Sequence, residues 1–253
     1  MNAERAEDLH LDYPETADIE TSSEDYARRF SGEIGRWFLD VQEEMTLGML
    51  AGYPKARVLD VGGGHGQLTA GLLDHGHDVT VFGSSDICRR RIQKFIDHHG
   101  CHFRSGNILD LPYEDRTFDV VVSYRLLPHV ERWRPFLSEL ARVAGKAVIV
   151  DCPSVRSLNC FSPLLFGMKK RWEGNTRRFT MFRESTIVGA FRSWGFTCAE
   201  RGPQFFFPMV LHRALKAPRL SRAAEGLCRV SGLTALFGSP VVLKLVRAGE
   251  GRR

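Results

Sequence analysis

Four glycines and an aspartate between positions 60 and 66 have the clearest chemical meaning in this chain. Asp60 lies in an apolar run, and Gly62, Gly64 and Gly66 follow at two-residue spacing, with Gly63 between them. Glycine tolerates positive φ and lets a ligand lie against the bare main chain. A helix that begins after such a loop directs free N–H groups and its positive end at that ligand. The pattern therefore predicts a cofactor-binding turn at the carboxyl edge of an open α/β sheet.

The spacing of these glycines excludes two other common cofactor loops. A P-loop ends in Gly-Lys-Ser/Thr, and no such triplet follows Gly66. A dinucleotide-binding loop has its third glycine three residues after the second, and an acid about 20 residues further on. Here the third glycine comes only two residues after the second, and the acid, Asp60, precedes the first.

Two downstream blocks narrow the assignment. Residues 104–113 read Arg-Ser-Gly-Asn-Ile-Leu-Asp-Leu-Pro-Tyr, and residues 118–130 begin Phe-Asp-Val-Val and end Pro-His-Val. With the Asp-x-Gly-x-Gly-x-Gly string, these blocks resemble the class I S-adenosylmethionine-dependent methyltransferases. The resemblance covers about residues 57–151, and the layout is similar to the small-molecule, "type 11" branch of that family.

The resemblance implies S-adenosylmethionine as the cofactor and methyl transfer to an oxygen or nitrogen of a small-molecule or lipid-like acceptor. It implies cofactor contacts from the glycine loop and from the turn after the third strand, namely Asp60, Gly62, Gly64, Gly66, Asn107 and Ile108. Asp60 would bind the amino acid end of the cofactor. Asn107 would accept a hydrogen bond from the adenine amino group through its amide oxygen, and Ile108 would pack on the adenine face.

One position departs from the family pattern. The family ends its second strand with an acid that accepts both ribose hydroxyls, but Gly83 stands there in this chain. Ser84 or Ser85 is a candidate to hold one hydroxyl, and Asp86 is interpreted either as a substitute or as an ordinary helix-start acid. Losing two charge-assisted hydrogen bonds costs roughly 2–4 kcal/mol of binding free energy. Gly83 therefore keeps open the alternative of a degenerate, non-catalytic binding or scaffold protein.

Two residues after the fourth strand are the predicted catalytic pair. His129 is the leading candidate for a general base, because imidazole titrates near neutral pH. Tyr124, with Arg125, is expected to orient a polar or anionic acceptor, and His65 in the glycine loop is the second candidate base. Cys152 is expected to be structural, and no metal site is predicted.

Short apolar segments alternate with helical ones after Pro54, which predicts a doubly wound α/β fold. We expect strands near 57–61, 78–82, 101–104, 118–123, 146–150, 196–201 and 241–246. We expect helices near 66–75, 85–98, 133–143 and 184–194. The resemblance implies a mostly parallel, seven-stranded Rossmann-like sheet whose last strand is antiparallel, with helical N-terminal and C-terminal cap additions.

The domain organisation follows from composition. Residues 1–22 lack periodicity and predict a flexible acidic arm, while 23–253 form one methyltransferase-like domain. Within that domain, we expect residues 23–53 to form a helical cover broken near Gly32–Gly35 and residues 54–151 to form the cofactor-binding core. Residues 154–180 and 203–238 are predicted to be cap insertions.

Charge is distributed unevenly along the chain. Residues 1–50 carry 4 basic and 13 acidic side chains, whereas residues 169–253 carry 17 basic and 5 acidic ones. Residues 203–238 join aromatic and aliphatic residues to arginines, which favours a peripheral membrane surface or the lid of an apolar pocket. A helix packed on its own domain is the simpler alternative. The basic third, residues 169–253, is the basis of a further alternative, a tRNA-modifying methyltransferase, and DNA is not expected as a partner.

The compartment is predicted to be the cytoplasm. No run of 18 uncharged apolar residues occurs, and the first 20 residues lack the apolar core of a secretory signal. The six cysteines form no Cys-x-x-Cys pair, which argues against a zinc or redox site and favours reduced thiols.

Overall fold

A seven-stranded sheet forms the centre of the computed structural model, which describes residues 13–98, 100–158 and 179–249. The strand order is β3-β2-β1-β4-β5-β7-β6. The strands are β1 (Arg57–Val61), β2 (Asp78–Gly83), β3 (Cys101–Ser105), β4 (Phe118–Ser123), β5 (Ala144–Cys152), β6 (Phe196–Phe205) and β7 (Ser239–Arg247). Strands β1 to β5 pair in parallel, and β7 runs antiparallel to both β5 and β6. The predicted doubly wound, mostly parallel sheet with an antiparallel last strand is confirmed.

Helices cover both faces of this sheet. They are α1 (Ala17–Thr21), α2 (Glu24–Arg28), α3 (Gly32–Leu50), α4 (Thr69–Asp74), α5 (Gln93–Asp97), α6 (Trp133–Val143), α7 (Glu184–Ser193), α8 (Met209–Leu215), α9 (Pro218–Val230) and α10 (Leu233–Phe237). Leu59 and Val61 of β1 pack into one apolar cluster, and Val58 packs into the cluster on the opposite face. This alternation at period two is what a strand buried on both faces requires.

The strongest periodic segments match their predicted bounds. Strand β4 and helix α6 begin and end at the predicted residues, while β5 and β6 are longer than predicted. The helix predicted from Gly66 begins only at Thr69, because a 3₁₀ turn at Gly63–His65 precedes it. Strand β6 runs to Phe205 and so includes the first residues assigned to the second cap insertion. Local periodicity indicates an element well, but its ends less well.

The helical cover contains the two predicted helices, α2 and α3, but two details of the N-terminal part differ from the prediction. The break in the helical cover lies at residues 29–31, and Gly32 with φ of +73° begins α3, so Gly35 is inside the helix. The segment 13–22 is not a loose arm, since it contains α1 and buries Asp18. Residues 1–12 of the predicted arm, and residues 159–178 of the first cap insertion, lie outside the described residues.

Candidate cofactor site

The glycine loop makes the turn that its sequence predicts. Gly62 and Gly66 have φ of +81° and +77°, values at which side chains other than glycine are strained. The Gly62 N–H donates to the Phe82 carbonyl at 2.8 Å, which joins the loop to the end of β2. A Cβ on Gly63 would lie 2.1 Å from Oδ2 of Asp60. The loop therefore needs glycine for its backbone conformation at two positions and for close packing at a third.

Asp60 lies beneath this loop, almost fully shielded from solvent. Burial raises the pKa of its carboxyl to about 7, and the nearby Arg125 guanidinium offsets part of that rise. A carboxyl group with this pKa exchanges a proton near neutrality. A cationic amino group beside it would favour its ionised form, which accepts hydrogen bonds from that group.

Arg125 places a half-buried cation near Asp60. Its φ of +59° is unusual for a residue other than glycine, and its N–H donates to Oδ1 of Asp151 at 2.6 Å. The guanidinium lies 4.4 Å from the ring centroid of Phe30 and 5.8 Å from that of Tyr26. Burial raises the pKa of Asp151 to about 6 despite Arg125. The two aromatic rings hold the guanidinium by cation–π attraction, and the carboxylates of Asp60 and Asp151 also favour its charged form.

Several buried polar atoms around the loop lack hydrogen-bond partners among the described residues. They are Nη1 of Arg125, Oε1 of Gln67 and both ring nitrogens of His65. These residues line one small cavity of about 10 Å³, together with Thr21, Asp60, Gly62, Gly63, Leu68 and Tyr124. Unpaired buried polar groups are rare in folded proteins, so a cluster of them is a candidate site for water or a polar ligand.

His65 is neutral at physiological pH. Burial lowers its pKa to about 3, and the nearby Arg125 and Arg91 add to that effect. Its ring meets Tyr26 and Phe30 edge-on, at centroid distances of 6.0 and 5.6 Å. A neutral imidazole can accept a proton, but so low a pKa makes it a poor general base near neutrality.

Tyr124 is held by the N-terminal cover. Thr46 on α3 donates its hydroxyl proton to the Gln42 carbonyl at 2.6 Å, so the 2.7 Å bond between Thr46 and Tyr124 takes its proton from Tyr124. Burial raises the pKa of Tyr124 well above its ordinary value. These contacts suit a phenol that stays protonated and positions its neighbours, rather than one that transfers a proton.

His129 lies in a 3₁₀ turn, Leu127–His129, just beyond β4. It is half-buried, and its ring meets that of Phe179 edge-on at a centroid distance of 5.7 Å. The residues that line the cavity in the described part of the chain do not include His129. The structure therefore places this candidate base at the same sheet edge, but outside the space around Asp60.

The other predicted cofactor contacts sit at the ends of β2 and β3. Ser84 binds the carboxylate of Asp18 through both its N–H and its hydroxyl, each at 2.6 Å. The Asn107 amide oxygen accepts from the Leu109 N–H at 3.0 Å, which leaves a second lone pair for another donor. Ile108 is fully buried in the cluster that also contains Phe82 and Ala17. Their roles toward a cofactor stay predictions.

The sequence did not reveal that Asp18, Thr21 and Gln67 lie at the candidate cofactor site. Asp18 reaches Ser84, which is 66 positions away in the chain, and Gln67 binds Gln42 on α3. No local spacing signals contacts between such distant segments. Asp86, one substitute considered for the missing acid, instead accepts from the Ser105 hydroxyl at 2.6 Å.

The fold and the glycine loop are typical of S-adenosylmethionine-dependent methyltransferases, and comparison with known proteins agrees with this class. The sequence model of the methyltransferase domain family matches residues 59–149. An uncharacterized methyltransferase of Schizosaccharomyces pombe is 31% identical over 119 residues, which is 42% of this chain and 43% of that protein. An O-methyltransferase of Aspergillus nomiae is 26% identical over 171 residues, covering 62% of this chain and 70% of that protein. The chain thus spans less than half the length of the yeast relative.

Among solved structures, the magnesium protoporphyrin IX methyltransferase of Synechocystis PCC 6803 with bound SAH (S-adenosylhomocysteine) aligns with a TM-score of 0.63. The alignment covers 92% of this chain and 98% of that one at 17% identity, so it supports the fold. Residues 59–149 thus match a methyltransferase domain, and the whole sheet has the Rossmann-like fold of that methyltransferase structure. Within the described ranges, no helix combines the length and the apolar character needed to cross a bilayer.

Proposed function

We propose that this protein is an S-adenosylmethionine-dependent methyltransferase that acts on an oxygen or nitrogen of a small-molecule or lipid-like acceptor in the cytoplasm. The observation that carries this proposal is the cluster of unpaired buried polar atoms around Asp60, at the glycine loop of a methyltransferase fold. The Aspergillus relative is named an O-methyltransferase, which supports an oxygen acceptor.

The residues present fit the amino acid end of this cofactor. The Asp60 carboxyl suits the ammonium group, and the unpaired Nη1 of Arg125 suits the carboxylate. Gly62 and Gly66 would keep the main chain bare where the cofactor approaches. When bound, S-adenosylmethionine supplies an electrophilic methyl group on a sulfonium, so the protein mainly aligns the acceptor and excludes water.

We assign His129 as the base that removes a proton from the acceptor. It is half-buried in the turn that follows β4, whereas burial lowers the pKa of His65 to about 3 and raises that of Tyr124. Tyr124 is the positioning residue in this scheme, because its bond to Thr46 fixes its ring against α3. Loss of the His129 imidazole should lower kcat and leave cofactor binding unchanged.

Titration calorimetry with SAH tests the cofactor site. Asp60→Asn keeps the side-chain shape but removes the negative charge, so we expect at least a tenfold loss of affinity. Asp74→Asn is the matched control, since Asp74 is exposed at the end of α4 and should bind like the unmodified protein. Equal affinity of the Asp60 variant and the control would refute the role of Asp60.

The proposal of a lipid-like acceptor is supported by helix α9, which exposes apolar residues. This exposure suits contact of residues 203–238 with a membrane. This helix buries Ser221, Glu225 and Cys228, and it exposes Leu220, Leu227 and Val230 by 60%, 73% and 90%. A helix that packs only on its own domain does the reverse and buries its apolar face. Among the described residues this apolar stripe is open to a partner, and Leu211, Leu215, Leu236 and Phe237 are exposed as well on α8 and α10.

The charges around this stripe favour an anionic bilayer as the partner. Between residues 209 and 238 the basic side chains are Arg213, Lys216, Arg219, Arg222 and Arg229. The only acid in that range, Glu225, is buried. The solvent-facing charge is therefore positive, as in helices that lie in the interface of anionic lipids.

Co-sedimentation with vesicles tests this contact. Unmodified protein should pellet with phosphatidylglycerol-containing vesicles, and a Leu227→Glu, Val230→Glu double variant should not, because it places two charges in the stripe. Thr197→Glu with Ala199→Glu adds the same charge on exposed positions of β6 and should still pellet. If both double variants pellet equally, the stripe does not bind the bilayer.

A tRNA-modifying methyltransferase is the second candidate, supported by the excess of basic residues over 169–253. It predicts tRNA binding whose affinity falls steeply as salt rises. No tRNA binding at low salt would remove it. A non-catalytic scaffold is the remaining alternative, and Gly83 is its support.

A further inference from the structure

Residues 15–22 lie across the strand ends that face the cofactor in this family. Glu15 accepts a hydrogen bond from the Arg132 N–H at 2.8 Å, just before α6. Asp18 lies at the end of β2, and Thr21 lines the cavity at the glycine loop. The segment therefore lies across the carboxyl ends of three adjacent strands, β2, β1 and β4.

Asp18 is the main attachment point of this segment. Its side chain is fully buried, and its carboxylate accepts from the Ser84 N–H and hydroxyl at 2.6 Å each and from the Cys88 thiol at 3.4 Å. A Cβ on Gly83 would lie 3.3 Å from Oδ2 of Asp18. An acid at position 83, as the family has, would point toward Asp18 and repel it. Gly83 and Asp18 are thus matched to each other.

The segment leaves little space for any other occupant. Ala17 belongs to the buried apolar cluster that contains Phe82 and Ile108, and Ile108 is the residue predicted to pack on the adenine face. A Cβ on Gly64 would lie 2.3 Å from the Ser22 hydroxyl oxygen, so the segment also contacts the glycine loop. The cavity there holds about 10 Å³, whereas pockets for small-molecule cofactors hold roughly 300–1,000 Å³.

We propose that residues 15–22 act as a self-ligand that occupies the cofactor cleft and must leave it before the cofactor binds. This inference rests on the proposed function, because it concerns the same cleft. The apparent affinity of the protein for cofactor is then its intrinsic affinity reduced by the fraction of molecules whose segment is released. Whatever weakens the hold of Asp18 on Ser84 raises that fraction.

Calorimetry with SAH on full-length variants tests this inference. Asp18→Ala removes the three hydrogen bonds that hold the segment, so we expect SAH to bind roughly tenfold more tightly than to the unmodified protein. Asp25→Ala is the matched control, because Asp25 is 85% exposed and pairs only with nearby Arg28 at 2.9 Å among the contacts described. It should bind SAH like the unmodified protein.

A second variant releases the segment without removing Asp18. Ala17→Arg puts a long charged side chain into the apolar cluster, so it should expel the segment and also tighten SAH binding. Weaker binding in both variants would overturn the inference and make Asp18 a ribose-binding acid instead. Unchanged binding in both would overturn the inference and leave the cofactor site standing. If no variant binds at millimolar SAH, the proposed function fails, and the inference fails with it.

Hydrogen exchange gives a readout that needs no catalysis. Saturating SAH should speed exchange of the amides of residues 17–22, because bound cofactor keeps the segment out of the cleft. Slower exchange on adding SAH would mean that the segment closes over the cofactor, and this would contradict the inference.

Discussion

At the residue scale, Asp60 couples ionisation in the candidate site to the stability of the fold. Burial raises its pKa to about 7 in the folded protein, against about 3.9 in an unfolded chain. Between those values the folded protein binds a proton that the unfolded chain has released. The free energy of unfolding therefore falls as pH rises through this window, by up to about 1.4 kcal/mol per pH unit from this group.

Asp60→Asn should remove this contribution, because the amide does not titrate. The free energy of unfolding of the variant minus that of the unmodified protein should rise by at least about 1 kcal/mol from pH 4.5 to pH 7.5. Urea unfolding of both proteins at the two pH values measures the change. Asp151 and His65 titrate in both proteins, so their contributions cancel in the difference. A stability difference that does not change with pH would show that Asp60 is not buried as described.

Gly63 shows why the loop carries more glycine than its turn needs. In Gly63→Ala the new Cβ would lie 2.1 Å from Oδ2 of Asp60, so we expect a loss of about 2–3 kcal/mol in stability by thermal unfolding. Gly189→Ala is the opposite case, because Gly189 is exposed in α7 with no atom of the described chain within 4 Å of the new Cβ. It should stabilise the protein by about 0.5–1 kcal/mol. Similar effects of the two substitutions would contradict the packing of the loop.

At the element scale, Glu225 joins the C-terminal helices to the sheet. From α9 its carboxylate accepts from the Phe206 and Phe207 N–H groups, just past β6, and it contacts Nε2 of His212 on α8, each at 2.9 Å. Removing it leaves buried donors unpaired. Glu225→Ala should therefore cost about 3–5 kcal/mol in the free energy of unfolding, and it should speed hydrogen exchange at the amides of residues 206 and 207.

Glu33→Ala is the control for that change. Glu33 is exposed and contacts Arg222 at 3.7 Å, a surface pair that contributes less than about 1 kcal/mol. If Glu225→Ala were as mild as Glu33→Ala, the inward position of Glu225 would be wrong. The outward direction of the apolar stripe on α9 would then lose its support as well.

The sequence predicts elements with strong periodicity and misses contacts between distant segments. The bounds of β4 and α6 follow from apolar spacing to the residue, and the glycine loop follows from residue types that few other turns need. The position of α1 depends instead on Asp18 meeting Ser84 and Cys88, which are distant in the chain. Short acidic and polar segments such as residues 15–22 lack a periodic signal, so their burial appears only in three dimensions.

At the scale of the whole molecule, one edge of the sheet concentrates the features of the site. The glycine loop, the ends of β2 and β4, and the cover formed by α1 to α3 all meet there, while α8 to α10 present an apolar and basic surface. An α/β sheet binds ligands at the carboxyl ends of its strands for geometric reasons, and the candidate site of this chain lies at that edge. It departs from the pattern that it resembles at Gly83, beside which the buried carboxylate of Asp18 lies.

Calorimetric titration of the full chain with SAH, beside a parallel titration with NADH, tests the central claim most directly. We predict saturable binding of one SAH per chain and no binding of NADH, because the glycine spacing and Asp60 suit the first cofactor and not the second. Heat that does not saturate up to millimolar SAH, or binding of NADH in its place, would contradict the assignment of this site.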